Sequence, residues 1–228
     1  RQLDDHAARG RRVGHRAEIS HGCDNRSSAA ITIGKRRPLT PFSLGVGLTN
    51  ACDLACAHCY RETERIDQLT LEQVTGVCEC LPVRSVNLGT GENGLHPRYA
   101  EIVQALAGRG VKLSLTSNGF TIERSSDETL KAFREVEVSI DFPTEAEQDA
   151  FRGRGNWNRV MAAIERAQGL GVTVTVLTVM MKTNFRRLSE IARVAFAAGA
   201  NYRVNVYQPV RGSRFADRIG SIAGGMPR

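Results

Sequence analysis

From Pro38 onward, short runs in which apolar and polar residues alternate are interleaved with longer runs whose apolar residues recur every three or four positions. The first kind predicts β-strands, because successive strand side chains point to opposite faces. The second predicts helices with one buried stripe. Strands are expected over residues 42–49, 83–89, 111–117, 136–141, 172–180 and 202–210, and helices over 70–81, 98–110, 125–134, 156–171 and 184–200. Thr70 followed by Gln73 forms a capping signature at the first helix. Five strand–helix units and a sixth strand imply parallel strands with right-handed crossovers. The expected fold class is α/β: a partial (β/α)6 barrel of parallel strands with helices outside. In such architectures function collects on the loops after the strands' C-terminal ends.

Outside that rhythm the chain changes character. Residues 1–37 are rich in Arg, Ser, Gly and Asp without a sustained period, and are expected to be a mostly disordered basic segment, apart from a short strand at AAITIG. Residues 38–210 form the barrel, and residues 211–228 a short Gly-rich tail.

The chain has 228 residues and a net charge of +7, and the charge is unevenly placed. Residues 1–37 hold nine Lys/Arg against four Asp/Glu, and residues 203–228 five against one, so the centre is slightly acidic. Nucleic-acid enzymes carry their basic stripe on the folded body, so nucleic acid is not the expected partner. The longest apolar run, VTVTVLTVMM, is far too short for a membrane span and is broken by threonines. Six cysteines without a secretory leader point to a reducing, cytoplasmic setting, where clustered thiols hold metal or do redox work. Cys23, Cys78 and Cys80 stand apart and read as packing residues.

The candidate chemistry lies in NACDLACAHCY, directly after the first strand, where Cys52, Cys56 and Cys59 follow C-x3-C-x2-C spacing. Three thiolates suit three corners of an iron–sulfur cluster, and the missing fourth leaves one iron open. From the spacing alone, a zinc site completed by His58 or a distant thiol, and chance clustering in a loop, remain open readings. After the second strand comes GTGEN (Gly89, Thr90, Gly91, Glu92, Asn93), where glycines allow close approach to the backbone and Glu92 offers a carboxylate to an amine. TSNG, with Asn118, follows the third strand. Ser139 and Asp141 end the fourth, and FRGRG, with Arg152 and Arg154, follows; an arginine there suits a carboxylate clamp. Asp141, Tyr60 and His96 are not expected to be catalytic; His96 reads as a rim or capping residue.

In that order, these motifs resemble the radical S-adenosylmethionine superfamily, over roughly residues 42–209. The resemblance implies that Cys52, Cys56 and Cys59 ligate a [4Fe–4S] cluster whose unique iron chelates the amine and carboxylate of S-adenosylmethionine. It implies a cofactor site of His58 near the adenine, Gly89, Thr90, Gly91 and Glu92 at the methionyl amine, Asn118 in the third-strand turn, Ser139 and Arg152 at ribose and methionyl carboxylate, and Leu177 near the adenine. Thr90 and Asn93 stand where the family ordinarily has glycine and proline. The implied activity is reductive cleavage to a 5′-deoxyadenosyl radical that takes hydrogen from a peptide or small biosynthetic substrate, with a flavodoxin- or ferredoxin-type electron donor. There is no cysteine after Cys80, so a Cys-rich C-terminal region with further clusters is not expected in this chain. The competing reading is a non-catalytic iron–sulfur or zinc protein, or a degraded fragment, acting as a partner-binding module.

Overall fold

The computed structural model describes residues 40–61 and 65–208. Strands β1 (Phe42–Val46), β2 (Val83–Leu88), β3 (Lys112–Ser117), β4 (Phe133–Ser139), β5 (Thr173–Met180) and β6 (Asn201–Val206) form one sheet. They pair in chain order, and every neighbouring pair is parallel. The sheet curls into a half-barrel with helices around it, which is the partial barrel expected from the strand–helix alternation. Expectations for residues 1–37, the tail at 211–228 and Cys23 lie outside the described residues.

One alternating set of strand side chains builds the core. Val86, Leu88, Leu113, Leu115, Val136, Val138, Val174 and Val176 are buried together with Ile102, Leu106, Ile122, Ile164, Ala167 and Ile191 from the surrounding helices. Each fully buried aliphatic side chain contributes about 1.5–3 kcal/mol. The opposite set faces the hollow of the half-barrel and is mostly polar, with Leu177 and Val179 of β5 as apolar members. Asn87 Nδ2 donates to Ser114 Oγ at 3.0 Å, Thr116 Oγ1 donates to Glu137 Oε2 at 2.8 Å, and Arg203 pairs with Glu137. Outer faces therefore hold the fold, while inner faces remain available for chemistry.

The helices are α1 (Leu71–Cys80), α2 (Tyr99–Gly108), α3 (Phe120–Arg124), α4 (Asp127–Lys131), α5 (Glu145–Arg152), α6 (Asn156–Gly169) and α7 (Leu188–Ala197). The capping box at Thr70 and Gln73 forms as read from the sequence. Where one helix was expected over 125–134 there is a single turn, α4, and Phe133 already belongs to β4 because it is drawn into the core. Helix α5 was not anticipated. Strand β1 ends at Val46 because Leu48 N turns away to donate to Asn93 Oδ1 at 2.9 Å. Cys78 packs partly buried against the core, as expected, but Cys80 is exposed and is not a packing residue. Among the described residues, no helix is long and apolar enough to cross a membrane.

Candidate functional site

At the C-terminal ends of the strands, the loop after β1 meets the turns after β2, β3 and β4. Their junction is a cleft of about 120 Å³. Cys52, Cys56, Cys59 and His58 line it from the first loop. Thr90, Gly91 and Glu92 line it from the second, Asn118 from the third, and Ser139 and Arg152 from the fourth unit. Ten of the twelve site residues expected from the sequence thus converge from positions up to 100 residues apart. Gly89 lies just beside the cleft, its N–H bonded to Val46 O at 2.9 Å. Leu177 pairs with Ser139 in the β4–β5 register but is buried and does not line the cleft.

The cysteine loop is held by its own backbone and by charge. Arg61 donates to Asn50 O at 2.7 Å and Leu54 O at 3.0 Å, closing the loop like a staple. Ala57 N donates to Phe151 O at 3.4 Å, and the His58 ring stacks on Phe151 with centroids 5.1 Å apart. Burial pushes the His58 pKa down to about 4, so the imidazole stays neutral at pH 7, and its Nδ1 is buried without a partner. Burial likewise pushes the Cys52 thiol up to about 11 and raises Cys56. Donors nevertheless face both sulfurs, Asn118 Nδ2 at 3.6 Å from Cys52 Sγ and Arg152 Nη1 at 3.9 Å from Cys56 Sγ. Positive and hydrogen-bonding groups placed there favour thiolates once a metal replaces the protons.

The GTGEN turn departs from the family pattern in sequence and keeps a glycine-like backbone. Thr90 sits at φ = +70°, a left-handed conformation that costs a β-branched residue about 1–2 kcal/mol. Its side chain fits because the facing residue is Gly47, where a Cβ would come within 2.9 Å of Thr90 Cβ. Asn93, in the usual proline position, uses its side chain to anchor Leu48. Gly91, at φ = +64°, lies so close to the cysteine loop that a Cβ would stand 2.4 Å from Thr49 O and 2.6 Å from Ala51 O. Gly91→Ala is therefore expected to destabilise the fold by on the order of 3 kcal/mol, from overpacking plus left-handed strain. A urea titration of the purified variant measures this.

Glu92 differs from its expected use as a free carboxylate. It is 1 % exposed and accepts from Ser117 Oγ at 2.6 Å, Asn118 N at 3.0 Å, Thr121 N at 2.9 Å, and Thr121 Oγ1. Burial raises its pKa while these donors oppose the rise. With donors on both oxygens, its main structural role is to tie the β2 turn to the start of α3. Its acidic oxygens still lie within 4.8 Å of the ligand atoms of Cys52 and Asp53.

Asp141 was set aside in the sequence reading, yet it organises the fourth strand's end. It is fully buried, and its Oδ2 accepts from Arg152 Nε at 2.8 Å and Nη2 at 2.7 Å. Its Oδ1 accepts from Val179 N at 2.9 Å. Burial opposes the Arg152 charge, but Asp141 outweighs it and holds the guanidinium pKa above its ordinary value. Gln148 binds Asp141 N at 2.9 Å and Asn156 Oδ1 at 2.8 Å, and Asn156 reaches Asn118 O at 2.9 Å. This chain of buried amides fixes the third and fourth strand ends relative to each other. His96, read as a rim or capping residue, lies buried just ahead of α2, where its Nδ1 accepts from Arg98 N at 3.1 Å and its Nε2 lies 2.9 Å from Leu69 O.

A family model for the Radical SAM superfamily matches residues 46–195. Mycofactocin maturase MftC of Mycobacterium tuberculosis is 29% identical over 177 residues, covering 74% of this chain and 45% of that protein. GTP 3',8-cyclase of Rhodopseudomonas palustris is 31% identical over 198 residues, covering 76% and 57%. Among solved structures, Streptococcus suis SuiB bound to S-adenosylmethionine shares the fold at TM-score 0.64 and 19% identity, covering 75% of this chain and 42% of that one. The chain spans about half the length of the curated relatives it matches.

Proposed function

The chain belongs to the radical S-adenosylmethionine superfamily, and from that membership we propose that it cleaves S-adenosylmethionine reductively and abstracts hydrogen from a peptide or small biosynthetic molecule. The observation that carries the proposal is the convergence of three free cysteines and a buried arginine on one cleft at the strands' C-terminal ends. Cys52, Cys56 and Cys59 would hold a [4Fe–4S] cluster by three thiolates, leaving one iron for the cofactor. The donor set fits: soft thiols supply the ligands, Asn118 and Arg152 face two of the sulfurs, and Gly91 lets the β2 turn pack directly on the cysteine loop where a side chain would not fit. When bound, the cluster and S-adenosylmethionine supply one-electron cleavage to methionine and a hydrogen-abstracting 5′-deoxyadenosyl radical.

The remaining work belongs to the protein. Arg152, fixed by Asp141, presents a charge suited to the methionyl carboxylate, with Ser139 beside it on the cleft wall. The Gly89–Glu92 turn offers backbone to the methionyl amine, and Glu92 keeps that turn in place. The neutral His58 ring, stacked on Phe151, offers an apolar face to the adenine, and Asn118 stands at the third-strand turn for the ribose. Leu177, paired with Ser139 across the β4–β5 ladder, would support the wall near the adenine. Holding these parts together in near-attack geometry is worth on the order of 7–11 kcal/mol of a reaction barrier. No side-chain base is needed for the first step.

Substrate class is supported by relatives of both kinds, a maturase and a GTP cyclase. A flavodoxin- or ferredoxin-type protein in the cytoplasm would deliver the electron. The test is anaerobic reconstitution with iron and sulfide, then addition of reductant and S-adenosylmethionine. Formation of 5′-deoxyadenosine and methionine in equal amounts is the expected result. Bound zinc with neither product would remove the proposal.

A further inference from the structure

The opposite end of the half-barrel holds a second cavity, of about 450 Å³, at the strands' N-terminal ends. Arg84, Lys112 and Arg134 line it, with Ser85, Ser114 and Glu135. The three cations are exposed, and none forms an ion pair with another described residue. The one carboxylate there, Glu135, already accepts from Thr175 Oγ1. Three positive charges against one negative leave the cavity basic, although the central part of the chain is slightly acidic.

How the two arginines arrive there is the more telling observation. The β1–β2 register passes from Phe42↔Val83 to Ser43↔Ser85, which leaves Arg84 as an extra residue. The β3–β4 register passes from Leu113↔Phe133 to Ser114↔Glu135, which leaves Arg134 as an extra residue. The intervening pair is regular, with Lys112 opposite Ser85. Bulges are rare in parallel sheets, and they re-aim side chains. Here two of them flank Lys112, each carries an arginine, and both arginines line the same cavity. Ser114 adds a hydroxyl: its Oγ accepts from Asn87 Nδ2, and its own hydrogen has no acceptor among the described residues.

We propose that this cavity is an oxyanion site that takes the phosphate or diphosphate group of the substrate. Two guanidinium forks and an ammonium suit phosphate oxygens, with Ser114 as a neutral donor. The polar inner face, with Asn87, Thr116 and Glu137, runs from this cavity toward the cysteine cleft. Five residue steps along β3, from Lys112 to Ser117, separate the two ends by roughly 16 Å. An extended phosphate-bearing molecule anchored at the basic end would place its far end beside the cofactor cleft. The assignment of the anion to a substrate rests on the radical-enzyme reading; the oxyanion site itself does not.

The test is isothermal titration of the full chain with inorganic pyrophosphate, against a chloride control of equal ionic strength. Saturable binding is expected, weakened at least tenfold by Arg84→Gln combined with Arg134→Gln, and weakened by Lys112→Gln. Arg154→Gln, in the loop after α5, is expected to leave it unchanged. An unaltered melting temperature shows that the variants remain folded. Absence of saturable binding, or equal binding by the double variant, overturns the proposal. The titration involves no turnover, so its failure leaves the radical reading standing. A failure to form 5′-deoxyadenosine, in turn, leaves the isotherm untouched.

Discussion

Cys56→Ala is expected to bring cofactor cleavage below detection, while Cys78→Ala leaves it near the level of the parent chain. The contrast rests on place rather than on residue type. Cys56 is buried in the loop after β1, with Arg152 Nη1 3.9 Å from its sulfur, and it lines the cleft with Cys52 and Cys59. Removing it leaves two thiolates, too few to hold a cubic cluster with one corner free. Cys78 lies on α1 and packs partly buried against the core, away from the cleft. Its loss removes a small apolar contact and no ligand. Iron content and 5′-deoxyadenosine yield, measured on both variants after identical anaerobic reconstitution, check the contrast. Equal cleavage by the two variants would show that the ligand assignment is wrong.

Asp141→Asn is expected to lower stability by about 3–5 kcal/mol, the cost of leaving one member of a buried ion pair without its counter-charge. Asp141 is wholly buried and Arg152 is 8 % exposed, so solvent cannot replace the lost carboxylate. The same variant is expected to weaken binding of S-adenosylmethionine more than it slows the bound complex, because Asp141 positions Arg152 and does not itself line the cleft. Urea titration gives the first effect, and separate KM and kcat values give the second. A stability loss with an unchanged KM would make Asp141 a purely structural residue. Lys131→Gln, on the exposed end of α4, is a control expected to alter neither quantity.

The sheet was legible because its two faces differ in chemistry. Val86, Leu88, Leu113 and Leu115 alternate with Ser85, Asn87, Lys112 and Ser114, and that period survives folding intact. Helix α5 was missed although its signal was present: Thr144 precedes Glu147 by three residues and accepts from Glu147 N at 3.4 Å. It carries few apolar residues, so periodicity did not reveal it. The cysteine triplet could be read from spacing, since its ligands are neighbours in sequence. The partnership of Asp141 with Arg152 could not, because it depends on α5 turning Arg152 back toward the end of β4. Glu92 was identified as a site residue, but its donors on Ser117, Asn118 and Thr121 come from another strand end. The arginine-bearing bulges were likewise hidden, because register is a property of pairs of strands.

The account depends most on a cluster held by three sulfurs with one iron open to S-adenosylmethionine. Electron paramagnetic resonance of the reduced, reconstituted chain, recorded before and after adding S-adenosylmethionine, tests this directly. The predicted result, on a chain assayed at about four irons, is a reduced-cluster signal that changes when the cofactor is added. A signal identical with and without it, or a chain that takes up zinc instead of a cluster, would contradict the account.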